Sequence, residues 1–184
     1  MRYLFESSTK KAVPRSSGMA SGIASKVLEI RKDSIKHSME DLYTMPHRQH
    51  YIDTIDGVIY YDDAQAESVN ATWFTFENIV NPVIWIVGGS CHNNYSELID
   101  NARRNVKAII GMGSEKENIE MTFKGIVKEI YEADTIAEAV DMASIIAQEE
   151  DLVLFSPACK DEDLNYQERA KQFIDSVKQL SKAE

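Results

Sequence analysis

The feature that most constrains the fold is a series of short, wholly apolar segments that alternate with amphipathic ones. Residues 83–87 (Val-Ile-Trp-Ile-Val) end in Gly88-Gly89, and residues 106–110 end in Gly111-Met112-Gly113. Continuous apolar runs of this length are typical of parallel strands that are buried on both faces. Helical patterns lie between them, so the alternation predicts βαβ units.

The fold class that follows is α/β: a Rossmann-like three-layer sandwich with a mostly parallel sheet. Asp56-Gly57 lies between two strand-like runs and predicts an N-terminal β-hairpin, because a type I′ turn needs positive φ at both central residues. Further strands are predicted at 126–131 and 152–155. Thr135 and Glu138 form a capping-box pair. Helices are predicted at 69–80, 95–104, 114–123, 136–147 and 166–180.

The first part of the chain differs in texture from the rest. Apolar residues at helical spacing predict a short helical appendage within 18–42, and they are Ile23, Val27, Ile30, Ile35, Met39 and Leu42. We therefore expect two parts, an N-terminal segment over 1–44 and an α/β domain over 45–184. An uncovered apolar stripe on 18–42 predicts self-association or docking of a protein partner through these residues.

Charge and hydropathy exclude several classes of partner. The chain has 30 acidic and 20 basic residues and a net charge of −10, which is a poor match for nucleic acid or for anionic lipid. It has no apolar stretch of about 18 residues and no secretory signal, so we expect no membrane segment and a cytoplasmic location. Cys91 and Cys159 are then expected to be reduced thiols.

Chemically interesting residues cluster where strands are predicted to end, which is where such sheets bind ligands. Gly88-Gly89-Ser90 is able to cradle a phosphate, but it lacks a third glycine, and a tight turn is the stronger interpretation. The run from Asp62 through Asp63 to Glu67 suits magnesium or a general base, although a solvated acidic helix start is commoner. The spacing of His47, His50, Cys91 and His92 matches no zinc pattern, and we predict no metal site.

Several segments form a recognisable series along the chain, and they are Met19 to Leu28, Pro46-His47-Arg48, Asp62 to Thr72, Trp85 to Gly89, Ser156 to Cys159, and Asn165 to Arg169. In this order they resemble the C-terminal part of the Mur ligases, closest to the members that add D-glutamate, and the resemblance covers roughly 18–182. In that family the first segment corresponds to the end of the central, ATP-binding domain, the second to the interdomain junction, the third to the Asn-Asp-Ser-Lys-Ala-Thr-Asn motif and the last to the closing motif.

The resemblance implies a domain that closes over an ATP-binding domain and delivers an amino acid to an acyl phosphate. It places the nucleotide side at His47, Arg48 and Asp63. It places the amino-acid side at Gln65, Glu67, Gly88, Gly89, His92, Asp161 and Tyr166. ATP and Mg²⁺ are implied only when a central domain completes the site, because the P-loop is absent from this sequence.

Four departures from the family pattern alter the expected chemistry. Gln65 stands at the motif lysine, Glu67 at the motif threonine, and Asp161 near the family's serine, while the loop 90–94 lacks the family's lysine. A dicarboxylic amino acid needs cationic or hydrogen-bond donors. Like charges in such a cleft repel by about 4 kcal/mol per close pair. We therefore expect no catalytic residues and no turnover by this chain alone.

Three hypotheses for function follow. The first is a non-catalytic Mur-ligase-like binding or regulatory module linked to peptidoglycan precursor synthesis, whose partner is a cell-wall enzyme or a nucleotide-sugar precursor. The second is the C-terminal part of a split, ATP-dependent D-glutamate-adding ligase. The third is a different enzyme that uses Asp62, Asp63, Cys91 and His92.

Overall fold

The sheet dominates the computed structural model, which describes residues 47–90 and 92–182. Six strands lie in the order β1-β2-β6-β3-β4-β5, and every neighbouring pair except β1–β2 is parallel. The strands are β1 (His50–Ile55), β2 (Val58–Asp62), β3 (Val83–Gly89), β4 (Val106–Gly113), β5 (Glu129–Ala133) and β6 (Leu152–Phe155). The predicted mostly parallel sheet is confirmed.

Helices cover both faces of this sheet and complete the three-layer sandwich. They are α1 (Val69–Glu77), α2 (Ile99–Asn105), α3 (Lys116–Phe123), α4 (Ile136–Ile146) and α5 (Tyr166–Leu180), with a 3₁₀ segment (Tyr95–Leu98) before α2. Side chains of α4 and α5 pack on one face, and those of α1, the 3₁₀ segment, α2 and α3 pack on the other. All seven residues of β3 are buried, as a central parallel strand requires.

Trp85, on β3, is the centre of the second face. Its ring meets Phe76 edge-on at 5.0 Å and Phe123 at 5.5 Å, and its indole N–H donates to the carbonyl oxygen of Ser156 at 2.8 Å. Edge-to-face aromatic pairs of this kind add to the stabilisation that burial gives. This contact ties the end of β6 to the middle of β3 and so fixes the edge of the sheet where the candidate site lies.

The turn and the helix cap that short sequence motifs predicted are both present in the structure. Asp56 and Gly57 have φ values of 51° and 77°, and the hairpin of β1 and β2 turns on them. Thr135 caps α4 by accepting the N–H of Glu138 at 3.1 Å, while the Glu138 carboxylate accepts the N–H of Asp134 at 2.7 Å. The capping pair is confirmed, with its return bond one residue earlier than the standard motif.

Two element boundaries differ from the prediction. The strand expected at 126–131 begins at Glu129, because Gly125 adopts a φ of 76° and the chain turns before the strand starts. The first helix ends at Glu77, since Asn78 caps it and its side chain donates to the carbonyl of Phe74. Val80, expected on the apolar helix face, is therefore 92% exposed.

No helix in the described part of the chain combines the length and apolar character needed to cross a bilayer. The predicted helical appendage within 18–42, its apolar stripe, and the boundary between 44 and 45 lie outside the described residues and stay predictions.

Candidate functional site

The predicted site residues lie around the carboxyl edge of the sheet, in two groups. The first group surrounds Asp63, which directly follows β2. Its Oδ2 accepts hydroxyl hydrogen bonds from Thr75 at 2.7 Å and from Ser156 at 2.8 Å. Its Oδ1 accepts the backbone N–H of Gln49 at 3.2 Å and lies 3.1 Å from Nη1 of Arg48.

Both Asp63 and Arg48 are buried, with side-chain exposures of 0% and 5%. Burial raises the pKa of Asp63 to about 6, against the opposing effects of Arg48 and the three hydrogen-bond donors. Both oxygens of this buried carboxylate are engaged by groups of the same domain, as is usual for buried polar groups. The sequence-based interpretation of 62 and 63 as a solvated acidic helix start is wrong for that reason.

Asp62 anchors His47, the residue before Arg48, in the same way. Its Oδ2 lies 2.6 Å from Nδ1 of His47, and its Oδ1 accepts the N–H of Ala64 at 3.0 Å. His47 and Gln49 have positive φ values of 59° and 48°, which are uncommon for residues with a side chain. The structure thus places His47 on Asp62 and Arg48 on Asp63, through contacts within the domain, and the nucleotide-side role of His47, Arg48 and Asp63 stays a prediction.

Gly88 and Gly89 are the last two residues of β3 and pair with Met112 and Gly113 of β4, so the tight turn that the sequence favoured does not lie at the glycines. The N–H of Gly88 donates to the carbonyl of Pro157 at 2.9 Å, and the N–H of Ser90 donates to that of Lys160 at 3.3 Å. A phosphate cradle needs such N–H groups to point at the ligand. Because these two are already used, the pair fits close packing of β3 against the loop after β6.

The second group centres on an ion pair that the sequence interpretation missed. Nη2 of Arg169, on α5, lies 3.0 Å from Oε1 of Glu67, and its Nη1 donates to the carbonyl of Cys159 at 3.1 Å. The side chains are 3% and 25% exposed. Burial lowers the pKa of Arg169, and the carboxylates of Glu67 and Asp161 oppose that change.

A signal for this arginine was present in the sequence. Arg169 falls three residues after Tyr166 and four before Phe173, on the apolar stripe of the helix. Residues at that spacing share a helix face. The charge therefore had to be buried, and a buried guanidinium needs an anionic partner.

A cavity of about 210 Å³ opens beside this pair, between the ends of the central strands and the start of α4 and α5. The wall residues that matter for its chemistry are Gly88, Gly89, Gly113, Phe155, Asp161 and Arg169. Asp161 shapes the loop after β6, because its Oδ1 accepts the N–H groups of Asp163 at 3.0 Å and Leu164 at 3.2 Å.

The remaining predicted residues lie outside that cavity. The Oε1 atom of Gln65 is buried and has no hydrogen-bond partner among residues 47–90 and 92–182. The ring of Tyr166 lies 6.2 Å from that of His47. His92 is 89% exposed on its side chain, and its Nδ1 lies 3.0 Å from Oε1 of Glu115.

Glu115 is a second residue that the sequence did not single out. It is almost fully buried, and it accepts the N–H of Asn93 at 3.1 Å and a side-chain hydrogen bond from Asn118 at 2.9 Å. It holds the loop after β3 against the start of α3. In the described ranges, no cluster of three His, Cys, Asp or Glu side chains is arranged to hold a metal ion.

The cysteine prediction is wrong in one respect. Cys159 is buried and disulfide-bonded, whereas the sequence suggested two reduced thiols. Cys91, the other cysteine of the chain, lies outside the described residues.

The chain is similar in sequence to curated proteins, although no family model matches it. It is 38% identical over 165 residues to a UDP-N-acetylmuramoylalanine–D-glutamate ligase of Christiangramia forsetii, covering 88% of this chain and 37% of that protein. A ligase of the same name from Porphyromonas gingivalis is 35% identical over 169 residues, covering 90% and 38%. This chain is related to the C-terminal domain of the Mur ligases.

Solved Mur ligase structures share the fold of this Mur-ligase-type domain. A murein peptide ligase from Psychrobacter arcticus aligns with a TM-score of 0.54 at 12% identity, over 74% of this chain and 29% of that one. The MurF ligase of Thermotoga maritima, solved with ADP, aligns with a TM-score of 0.51 at 16% identity, over 74% and 32%. The chain spans just over a third of the length of its curated relatives.

Proposed function

We propose that this chain is a non-catalytic Mur-ligase-type domain, acting in the cytoplasm as a binding or regulatory module of peptidoglycan precursor synthesis. The observation that carries the proposal is that the cation on the predicted amino-acid side of the site is already neutralised within the chain. Arg169, the buried cation that the described residues place there, is already paired with Glu67 at 3.0 Å. An acidic substrate would find Asp161 in the cavity wall and, among the described residues, no unpaired cation there.

Charge makes that side unfavourable for a dicarboxylate. The resemblance places a lysine at position 65 and a threonine at 67, and this chain has Gln65 and Glu67. Arg169 interacts with both Glu67 and Asp161, so two carboxylates share one guanidinium, and Asp161 at the cavity wall is only partly compensated. A carboxylate that approached it at reduced dielectric would be repelled by about 4 kcal/mol at close range.

The nucleotide side supports the same proposal. ATP and Mg²⁺ belong to the chemistry that the family implies, and the residues present do not fit them. Asp63 is fully buried, and its two oxygens are engaged by Arg48, Thr75, Ser156 and the N–H of Gln49. Contacts of Asp63 with Mg²⁺ or with the ribose of a nucleotide would require these bonds to break.

The test is a complementation assay with the full chain. We would mix it with the Christiangramia ligase truncated to lack its C-terminal third, and supply ATP, UDP-N-acetylmuramoyl-L-alanine and radiolabelled D-glutamate. The expected result is no incorporation above that of the truncated ligase alone, with the intact ligase as positive control. Incorporation that depends on this chain would overturn the proposal.

The second candidate, the C-terminal part of an ATP-dependent D-glutamate-adding ligase, has its own support. The curated relatives carry that activity in their names, and they align with about nine-tenths of this chain. The same assay decides between the two candidates. A thermal-shift titration with UDP-N-acetylmuramoyl-L-alanine separates binding of the precursor from turnover, since a bound ligand raises the melting temperature by mass action.

A further inference from the structure

The Glu67–Arg169 pair joins two distant parts of the chain across the cavity's edge. Glu67 lies in the loop between β2 and α1, and Arg169 lies in the first turn of α5. The guanidinium is 3% exposed, and its Nε has no hydrogen-bond partner within the described part of the chain. Nη1 is held by the carbonyl of Cys159, so Glu67 is the only anion in hydrogen-bond contact with this cation among the described residues.

A buried guanidinium binds carboxylates strongly, because its planar fork matches their geometry and because water competes poorly with them there. Arg169 also forms part of the wall of the 210 Å³ cavity. Glu67 is 25% exposed and its Oε1 lies 3.0 Å from Nη2, so it occupies this donor of the guanidinium at a point that solvent reaches. A ligand carboxylate therefore has no access to Nη2 while Glu67 is in place.

We propose that Glu67 is a built-in ligand of Arg169, which fills the position of an external carboxylate and keeps this crevice closed to small carboxylic acids. This inference rests on the proposed function, because it gives the reason why the crevice does not take up an acidic substrate. It also defines a latent binding site for a small monocarboxylate at Nη2 of Arg169.

The experiment removes the built-in carboxylate and supplies a free one. Glu67→Ala vacates a space next to Nη2 that formate or acetate fits. Glu168→Ala is the matched control, since Glu168 is an exposed acid next to Arg169 in the chain and its loss changes the net charge equally. Melting temperatures of the full chain are measured in formate, in acetate and in chloride at one ionic strength and one pH.

The expected result is a melting temperature for Glu67→Ala on the order of 5 °C below wild type in chloride. Formate and acetate should restore a large part of that loss in a saturable way. Wild type and Glu168→Ala should respond to the three anions alike. Two results would overturn the proposal: no difference between formate and chloride for Glu67→Ala, or an equal gain in wild type or the control.

A variant that does not fold still decides the question. If Glu67→Ala is insoluble, it is refolded in formate and in chloride. Recovery in formate alone supports the built-in ligand, and failure in both shows that Glu67 serves packing only. Neither result depends on turnover, so the complementation assay can fail or succeed independently.

Discussion

Gly113→Ala tests the close packing that shapes the candidate site. Gly113 ends β4 with a φ of +67°, and a β-carbon there would lie 2.3 Å from the carbonyl oxygen of Gly89. The same oxygen accepts the N–H of Ser114 at 3.1 Å. The added methyl group therefore forces the ends of β3 and β4 apart at the point where they are hydrogen-bonded.

The size of the effect follows from two contributions. A left-handed conformation costs alanine about 1–2 kcal/mol. Displacing the Gly89 carbonyl weakens one or two hydrogen bonds, at about 0.5–1.5 kcal/mol each. The sum is a loss of about 3 kcal/mol in the free energy of unfolding. Gly125 offers a matched control, because its φ is +76° and a β-carbon there would meet nothing within 4 Å.

Urea unfolding followed by the fluorescence of buried Trp85 measures both variants. Gly125→Ala should lose only the backbone contribution, about 1–2 kcal/mol, and Gly113→Ala should lose about 1.5 kcal/mol more. Equal losses would refute the argument that the strand ends are in contact through bare backbone. They would also mean that there is free space for a ligand next to Gly88 and Gly89.

Three further changes have defined outcomes. Burial raises the pKa of Asp63 to about 6 from 3.8, so the folded protein retains a proton there that the unfolded chain releases. The stability that this proton contributes is complete below about pH 4 and is lost as the pH rises through about 6. It amounts to about 3 kcal/mol, and urea unfolding from about pH 4 to about pH 7 should show it in wild type and not in Asp63→Asn. Trp85→Phe leaves the carbonyl of Ser156 without its 2.8 Å donor and a gap in the core, and should lower the free energy of unfolding by about 2 kcal/mol. Thr135→Ala removes the cap of α4 and should lower the melting temperature through a loss of about 1 kcal/mol, which calorimetry detects.

The sequence predicted the elements whose causes are local. Asp56-Gly57 determines its own turn, Thr135 caps its own helix, and the apolar run 83–87 has no alternative to a buried strand. Each of these depends on residues within a few positions. The boundary of β5 was missed because Ile126 and Val127 are apolar residues that serve the turn after α3 rather than the strand.

The sequence placed the candidate site residues at strand ends but did not predict their burial. Proximity of His47, Arg48 and Asp63 followed from the resemblance, but their burial did not, because it requires Thr75 and Ser156 to come from α1 and from the end of β6. Such contacts arise from tertiary packing and have no signature in a window of sequence.

Charge counting failed for a related reason. Glu67 was counted as an exposed repulsive charge, although its partner lies 102 positions later. Glu115 was not counted at all, because a carboxylate that accepts backbone N–H groups from another loop looks in sequence like any surface acid. The net charge of a site can therefore be counted only once the fold shows which charged residues are paired.

The pairing of His47 and Arg48 with the two aspartates after them has a practical consequence for anyone who shortens this chain. A fragment cut to begin at the first strand, at His50, would keep Asp62 and Asp63 at the sheet edge but would lose both of those basic residues. Two adjacent carboxylates with no cation, both at 0% exposure, are severely destabilising in a protein interior. A fragment that keeps these contacts must include His47 and Arg48, so a cut chosen from secondary structure alone would come too late.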